Sequence, residues 1–163
     1  MVTVPDLRER VLEHLGEAVA ADEQLCERCT AILNEEITDW VQLRKLAESV
    51  EAVLFDKLYA LSGPGMMIRT ARGENHKVYM DELSDMADDL TEILLTSLPE
   101  DRVNYELIDG YYMRTGSYAA LKCLCERFAT YITLTDLTLM KRMLAENDPA
   151  LRWRDWRKKG AIQ

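Results

Sequence analysis

The sequence predicts an all-α protein, and three observations predict it. The 163 residues include only 7 glycines and 4 prolines, so few positions would interrupt a helix. Hydrophobic residues make up 48% of the chain and charged residues 30%, which is typical of a folded protein. Apolar residues recur at steps of three and four along most of the chain, the spacing of one helix face. The length fits one domain, with or without a helical arm.

The first 65 residues predict two helices. From Pro5 to Leu33 the apolar residues keep helical spacing, so we expect one long amphipathic helix there. Residues 34–38 indicate its end, and Thr38 fits the N-cap of the next helix. The second helix is expected to continue to the stop signal Ser-Gly-Pro-Gly at residues 62–65.

A loop and a third helix are expected next. Residues 66–77 have mixed polarity and no clear period, so they predict a long loop. Helical spacing returns at Val78 and continues to Leu94, before Leu98-Pro99 ends the helix. Short connections would make the three long helices antiparallel, as in a coiled coil or a bundle. Acidic residues on the other side of the third helix predict a solvated face, at Asp81, Glu82, Asp85, Asp88, Asp89 and Glu92.

After residue 98 the pattern changes from long helices to short ones. Proline and carboxylates suit the first turn of a helix, and they stand together at Pro99, Glu100 and Asp101. We therefore expect three regions: an N-terminal helical hairpin or bundle (1–98), a short-helix region (99–147) and a basic tail (148–163).

A glycine separates two apolar stripes in the stretch LIDGYYMRTGSYAALKCL. Gly116 fits a tight helix-turn-helix, because the residue after a helix often takes a positive φ that other residues adopt only at a cost. Two helices this short cannot enclose a core by themselves, so their stripes need cover from the same chain or from a second copy. The stripe residues are Leu107, Ile108, Tyr111 and Tyr112 before the glycine, and Tyr118, Leu121 and Leu124 after it.

This pattern of paired apolar residues, glycine and tyrosine resembles a LisH motif, a short helix pair that dimerises. Residues 133–147 resemble the segment that follows LisH in subunits of CTLH (GID) ubiquitin-ligase complexes, of the macrophage-erythroblast-attacher type. The run Ala150-Leu151-Arg152-Trp153 resembles the start of a CTLH motif. The resemblance implies a dimerising scaffold subunit. The resemblance does not imply ligase activity, because the sequence has no set of Cys and His residues that could build a RING-like domain.

The sequence departs from the LisH pattern at three positions. Ser117 stands where the family has tyrosine directly after glycine, Leu121 replaces an alanine, and Tyr112 replaces a leucine. The resemblance covers about a third of the chain, over residues 103–156.

The net charge and the apolar runs of the chain indicate which kinds of partner it binds and where it is located. A net charge of −9 and a pI near 4.8 argue against nucleic-acid binding, which needs basic side chains to replace counterions. No N-terminal signal and no apolar run long enough for a bilayer are present in the sequence. We expect an intracellular protein, cytoplasmic or nuclear, that does not bind membranes.

The four cysteines form two close pairs. Cys26 and Cys29 would share one helix face and could hold a metal together, whereas Cys123 and Cys125 would point in different directions. A four-thiolate zinc site is therefore not predicted. We expect reduced, buried cysteines that act as small apolar residues, with a redox or partial metal site at the first pair as the alternative.

Catalytic and cofactor sites are not predicted. His14 lies one step from the apolar stripe of its helix, so we expect it at the surface or at its boundary. His76 has no nearby nucleophile to activate. Phosphate-binding and metalloprotease motifs are absent from the sequence. The chain is thus expected to be non-enzymatic, with no cofactor and no metal.

The basic tail combines aromatic and cationic residues. Trp153, Trp156 and Arg157 are candidate partner-binding residues, suited to RNA, to an acidic protein surface or to the acidic third helix of a neighbouring copy. The simpler interpretation is the start of a helix in which Trp153 is buried.

These observations predict a protein–protein interaction and dimerisation module. A homodimer, or a hetero-oligomer formed through helices, would bury the stripes on either side of Gly116. The alternatives are a small helical-bundle enzyme or ligand-binding protein, and a helical adaptor or effector unrelated to LisH.

Overall fold

The computed structural model describes residues 1–62 and 87–147, and their regular structure is helical throughout, without a strand. The all-α prediction is confirmed for this part of the chain. Several predicted features lie outside the described residues: the loop at 66–77, the beginning of the third helix at Val78, and the basic tail with Trp153, Trp156 and Arg157.

The N-terminal segment forms three helices, so the prediction of one long helix was wrong. They are α1 (Val4–Leu15), α2 (Glu17–Ala20) and α3 (Glu23–Leu33). Gly16 has a φ of +90° and ends α1. Asp22 begins α3 by accepting a hydrogen bond from the Leu25 N–H at 3.1 Å. Apolar spacing continues across both breaks because each helix turns its apolar side to the same core.

The second predicted helix is confirmed as α4 (Trp40–Ser62), a helix of 23 residues. Its first turn is capped by Asp39, whose Oδ1 accepts a hydrogen bond from the Gln42 N–H at 3.0 Å. The cap therefore lies one residue after Thr38, the residue expected from the sequence. Both residue types suit an N-cap, so sequence alone does not separate them.

The C-terminal half consists of shorter helices, as predicted. Residues 87–97 are helical and are called α5 below, and a single 3₁₀ turn replaces the helix expected to start at Pro99. The elements that follow α5 are a 3₁₀ turn (Glu100–Arg102), α6 (Tyr105–Thr115), α7 (Tyr118–Arg127), a second 3₁₀ turn (Ala129–Tyr131) and α8 (Leu134–Glu146).

Gly116 joins α6 to α7, which confirms the predicted helix-turn-helix. Its φ of +66° lies in the left-handed region, and its N–H donates to the Tyr112 carbonyl at 2.8 Å. Ser117 then caps α7, because its Oγ accepts from the Ala120 N–H at 3.3 Å. The turn fixes α6 and α7 as neighbours that pack on each other.

One hydrophobic core joins the elements from α1 to α7. Its fully buried members include Leu7, Leu33, Leu54, Ile93 and Ile108, which come from α1, α3, α4, α5 and α6. The expected regions 1–98 and 99–147 therefore share this core. Arg102 adds a polar link, since its guanidinium donates to the backbone carbonyls of Leu33 and Glu35.

The helix α8 differs from the others, because none of its residues is buried. It packs on α7, and the Tyr118 hydroxyl donates to the Leu144 carbonyl at 3.0 Å. Among the described helices, none is both long and apolar enough to cross a bilayer.

Candidate functional site

The residues predicted to form a dimer interface are largely buried within the chain itself. Ile108, Tyr111, Leu121 and Leu124 are each at most 5% exposed. Leu107 and Tyr112 are half-buried and pack against the same core, and Tyr118 is also half-buried. The chain's own α4 lies against α6. Four of the predicted contact residues can therefore reach a second copy only if the chain opens.

The turn at Gly116 is held from α5 by an acidic residue. The Asp88 Oδ1 accepts hydrogen bonds from the Ser117 Oγ at 3.1 Å and from the Tyr118 N–H at 2.8 Å. Burial raises the pKa of Asp88, against the opposing effect of these hydrogen bonds. The carboxylate thus satisfies the first N–H groups of α7 and anchors the helix pair to α5.

A buried polar cluster lies where α1, α5 and α7 meet, and it consists of His14, Asp89, Glu92 and Lys122. The His14 Nδ1 donates to the Arg10 carbonyl at 2.9 Å, which directs Nε2 towards the Glu92 Oε1 at 3.6 Å. The Lys122 Nζ lies 2.5 Å from the same carboxylate oxygen. One ligand atom from each of His14, Asp89 and Glu92 lies within 4.8 Å of the other two.

The charges in this cluster stabilise one another. Burial disfavours the Glu92 carboxylate, but the interactions with His14 and Lys122 outweigh burial and lower its pKa to about 2. Burial likewise disfavours a charged His14, yet the interactions with Glu92, the Arg10 carbonyl and Asp89 raise its pKa above 6.5. Two carboxyl groups, an imidazole and an ammonium group therefore share a site in which His14 is 7% and Asp89 2% exposed.

Two expectations from the sequence were wrong at this cluster. His14 is buried rather than at the surface, and Asp89 lies in the interior of a face that was expected to be solvated. The sequence did contain a signal that His14 is buried. This residue follows Val11 by three positions and Leu7 by seven, which is the spacing of the buried stripe. The acidic residues gave no such signal, since their partner cations come from distant helices.

Large apolar side chains are exposed on α8 and in the turn before it: Tyr131, Leu134, Leu139 and Met143 are 67%, 81%, 53% and 38% exposed. Leu134 and Leu139 line the same open groove of about 460 Å³ together with Thr135, Thr138 and Arg142, and we call this side of the helix the α8 face. Met143 instead lies near the Gly116 turn, and Tyr131 stacks on Tyr105. Large exposed side chains concentrated on one helix are typical of an interaction surface.

The prediction that the cysteines are buried is confirmed, and all four are free thiols in the structure. Burial raises the pKa of Cys29 to about 12 and also raises the pKa of Cys26. The Cys26 Sγ lies 3.6 Å from the Ala20 carbonyl oxygen. Thiols of this kind are poor metal ligands and poor nucleophiles near neutral pH, because the thiolate is the reactive form.

No protein-family model matches the chain, and searches of curated proteins and of solved structures also give no match. What the chain does must be inferred from its own residues, above all from the α8 face and the buried polar cluster.

Proposed function

We propose that the chain is a non-enzymatic protein–protein interaction module that forms a homodimer through the α8 face. The observation that carries the proposal is the exposure of Leu134 and Leu139 beside one groove, on a helix that buries none of its residues. Bringing such side chains out of water stabilises an interface by about 25 cal/mol per Å² of apolar area. Association through the α8 face is therefore expected to have the most favourable free energy.

The charge distribution favours a second copy as the occupant. The whole chain carries a net charge of −9, so two copies repel each other on average. The helix α8 is neutral by contrast, with Asp136 and Glu146 balanced by Lys141 and Arg142. Two copies therefore meet with least repulsion where the apolar side chains are exposed, and a two-fold dimer would bury the same patch on each.

This proposal keeps the self-association expected from the sequence but moves it to another surface. The LisH-like pair α6–α7 supports α8 from within, instead of meeting a second copy through Ile108, Tyr111, Leu121 and Leu124. Charge substitutions at Tyr111 would introduce a buried charge and unfold the chain, so they do not test association. A place in a ubiquitin-ligase assembly stays a prediction that rests on the resemblance alone.

Light scattering coupled to size exclusion tests the proposal. The wild-type chain is expected to show twice its mass of 18.8 kDa at micromolar concentration. Leu139→Asp is expected to weaken the dimer by about 2 kcal/mol or more, because it places a charge in the apolar patch. Circular dichroism should show an unchanged helix content, since Leu139 is exposed.

A matched control is available on α1. Leu12 is 45% exposed and lies outside the α8 face, so Leu12→Asp adds the same charge and should leave the dimer intact. A monomeric wild type contradicts the proposal. A dimer that survives Leu139→Asp but is lost in Leu12→Asp places the interface on another surface and contradicts it equally.

A further inference from the structure

We propose that His14, Asp89 and Glu92 form a binding site for one divalent transition-metal ion, with Zn²⁺ as the fitting ion. The proposal does not depend on the proposed dimer, because the site lies in the interior of one chain. Its basis is the convergence of an imidazole from α1 and two carboxylates from α5 at the buried polar cluster.

The distances suit a small cation. Zn²⁺ binds nitrogen and oxygen ligands at about 2.0–2.2 Å, which places tetrahedral ligand atoms about 3.4 Å from one another. The His14 Nε2 and the Glu92 Oε1 already lie 3.6 Å apart. One Asp89 carboxylate oxygen lies within 4.8 Å of both ligand atoms, so binding would have to bring this carboxylate closer to the other two ligands. A water molecule would complete four ligands, as in zinc sites with three protein ligands.

The histidine is oriented as a ligand by its surroundings. Its Nδ1 donates to the Arg10 carbonyl at 2.9 Å, so Nε2 is the nitrogen that faces the carboxylates. A hydrogen bond from the second ring nitrogen to a backbone carbonyl is the usual support of a metal-binding histidine. On binding, the ion would replace the proton on Nε2, and that proton would leave to solvent.

Lys122 is the cation that the metal ion has to displace. Its ammonium group lies 2.5 Å from the Glu92 Oε1, the oxygen that faces His14. About a third of the Lys122 side chain is exposed, so it can turn to solvent when the ion enters. A positive charge this close lowers the affinity for a second cation. Removing it should therefore strengthen metal binding.

Isothermal titration of the metal-stripped full chain with Zn²⁺ tests the site. The wild type is expected to bind one ion per chain. Lys122→Met should bind Zn²⁺ about tenfold more tightly, because a competing positive charge is gone. His14→Gln and Asp89→Asn should each bind at least about tenfold more weakly, because a ligand is lost. A purely structural ion network predicts no zinc binding in any of these proteins.

The double variant Cys26→Ser/Cys29→Ser is the control, because it removes the pair of side chains that the sequence offered as an alternative metal site. It should keep the wild-type affinity. Folded wild type that fails to bind one Zn²⁺ overturns the proposal, as does binding that is lost in the cysteine variant and retained in His14→Gln. If neither His14→Gln nor Asp89→Asn folds, the test rests on Lys122→Met. A zinc affinity of Lys122→Met equal to that of the wild type then overturns the proposal.

Discussion

Glu51 shows at the scale of one residue what burial does to a carboxylate in this fold. The Thr91 Oγ donates to the Glu51 Oε1 at 2.6 Å, across the contact between α4 and α5. Burial raises the pKa of Glu51 above 4.5, and it outweighs the hydrogen bond, which acts in the opposite direction. Because the folded state disfavours the charged form, the stability present below pH 4.5 is lost as the pH rises through the folded-state pKa.

We therefore predict that Glu51→Gln stabilises the protein at neutral pH but not in acid. The amide keeps an oxygen for Thr91 and removes the buried charge, so the midpoint of thermal unfolding should rise by about 2–4 °C at pH 7. Near pH 4 the two proteins should unfold at the same temperature. Glu27→Gln is the control, since Glu27 is exposed on α3 and its loss should leave the unfolding midpoint nearly unchanged at both pH values. An equal gain at both pH values would rule out the electrostatic cause.

At the scale of elements, glycines decide where helices end. Gly116 and Gly16 both have positive φ, and nothing lies within 4 Å of a Cβ built on either residue. Gly116 could be predicted as a break because apolar stripes begin anew on each side of it. Gly16 could not, because the apolar spacing continues past it from Leu15 to Val19. The pattern thus reports which face is buried, whereas backbone conformation decides where the helix stops.

Alanine substitutions at two glycines should have opposite effects on stability. Gly116→Ala should cost about 1–2 kcal/mol, because its φ of +66° is unfavourable for a residue with a Cβ. Gly110→Ala should gain about 0.5–1 kcal/mol, because Gly110 lies inside α6 and alanine favours a helix. The nearest atom to its new Cβ would be the Trp40 Cβ at 3.8 Å, an ordinary contact. Urea unfolding measures both, and a change of the same sign in the two variants would contradict the conformational argument.

At the scale of the whole molecule, the all-α class and the helix pair at Gly116 could be predicted from the sequence, but the way the chain covers that pair could not. Spacing identifies apolar stripes without showing what packs on them. The cover comes from distant parts of the chain: Tyr111 interacts with Thr91 of α5, and the Arg127 guanidinium donates to the Leu95 carbonyl at 3.0 Å. Asp88 caps α7 from the same helix.

This packing predicts that the C-terminal part does not fold by itself. A fragment of residues 99–163 leaves Ile108, Tyr111 and Leu124 without the helices that bury them in the full chain, so it should unfold without a cooperative transition. Mixing it with a fragment of residues 1–98 should restore the helix content and cooperativity of the full chain, as circular dichroism during heating would show. Residues 99–163 carrying Ile108→Asp provide the control, because a charge at this buried position should prevent recovery. If the fragment instead folds alone into a dimer, its apolar stripes are covered by a second copy, and the self-association surface lies on α6 and α7 rather than on α8.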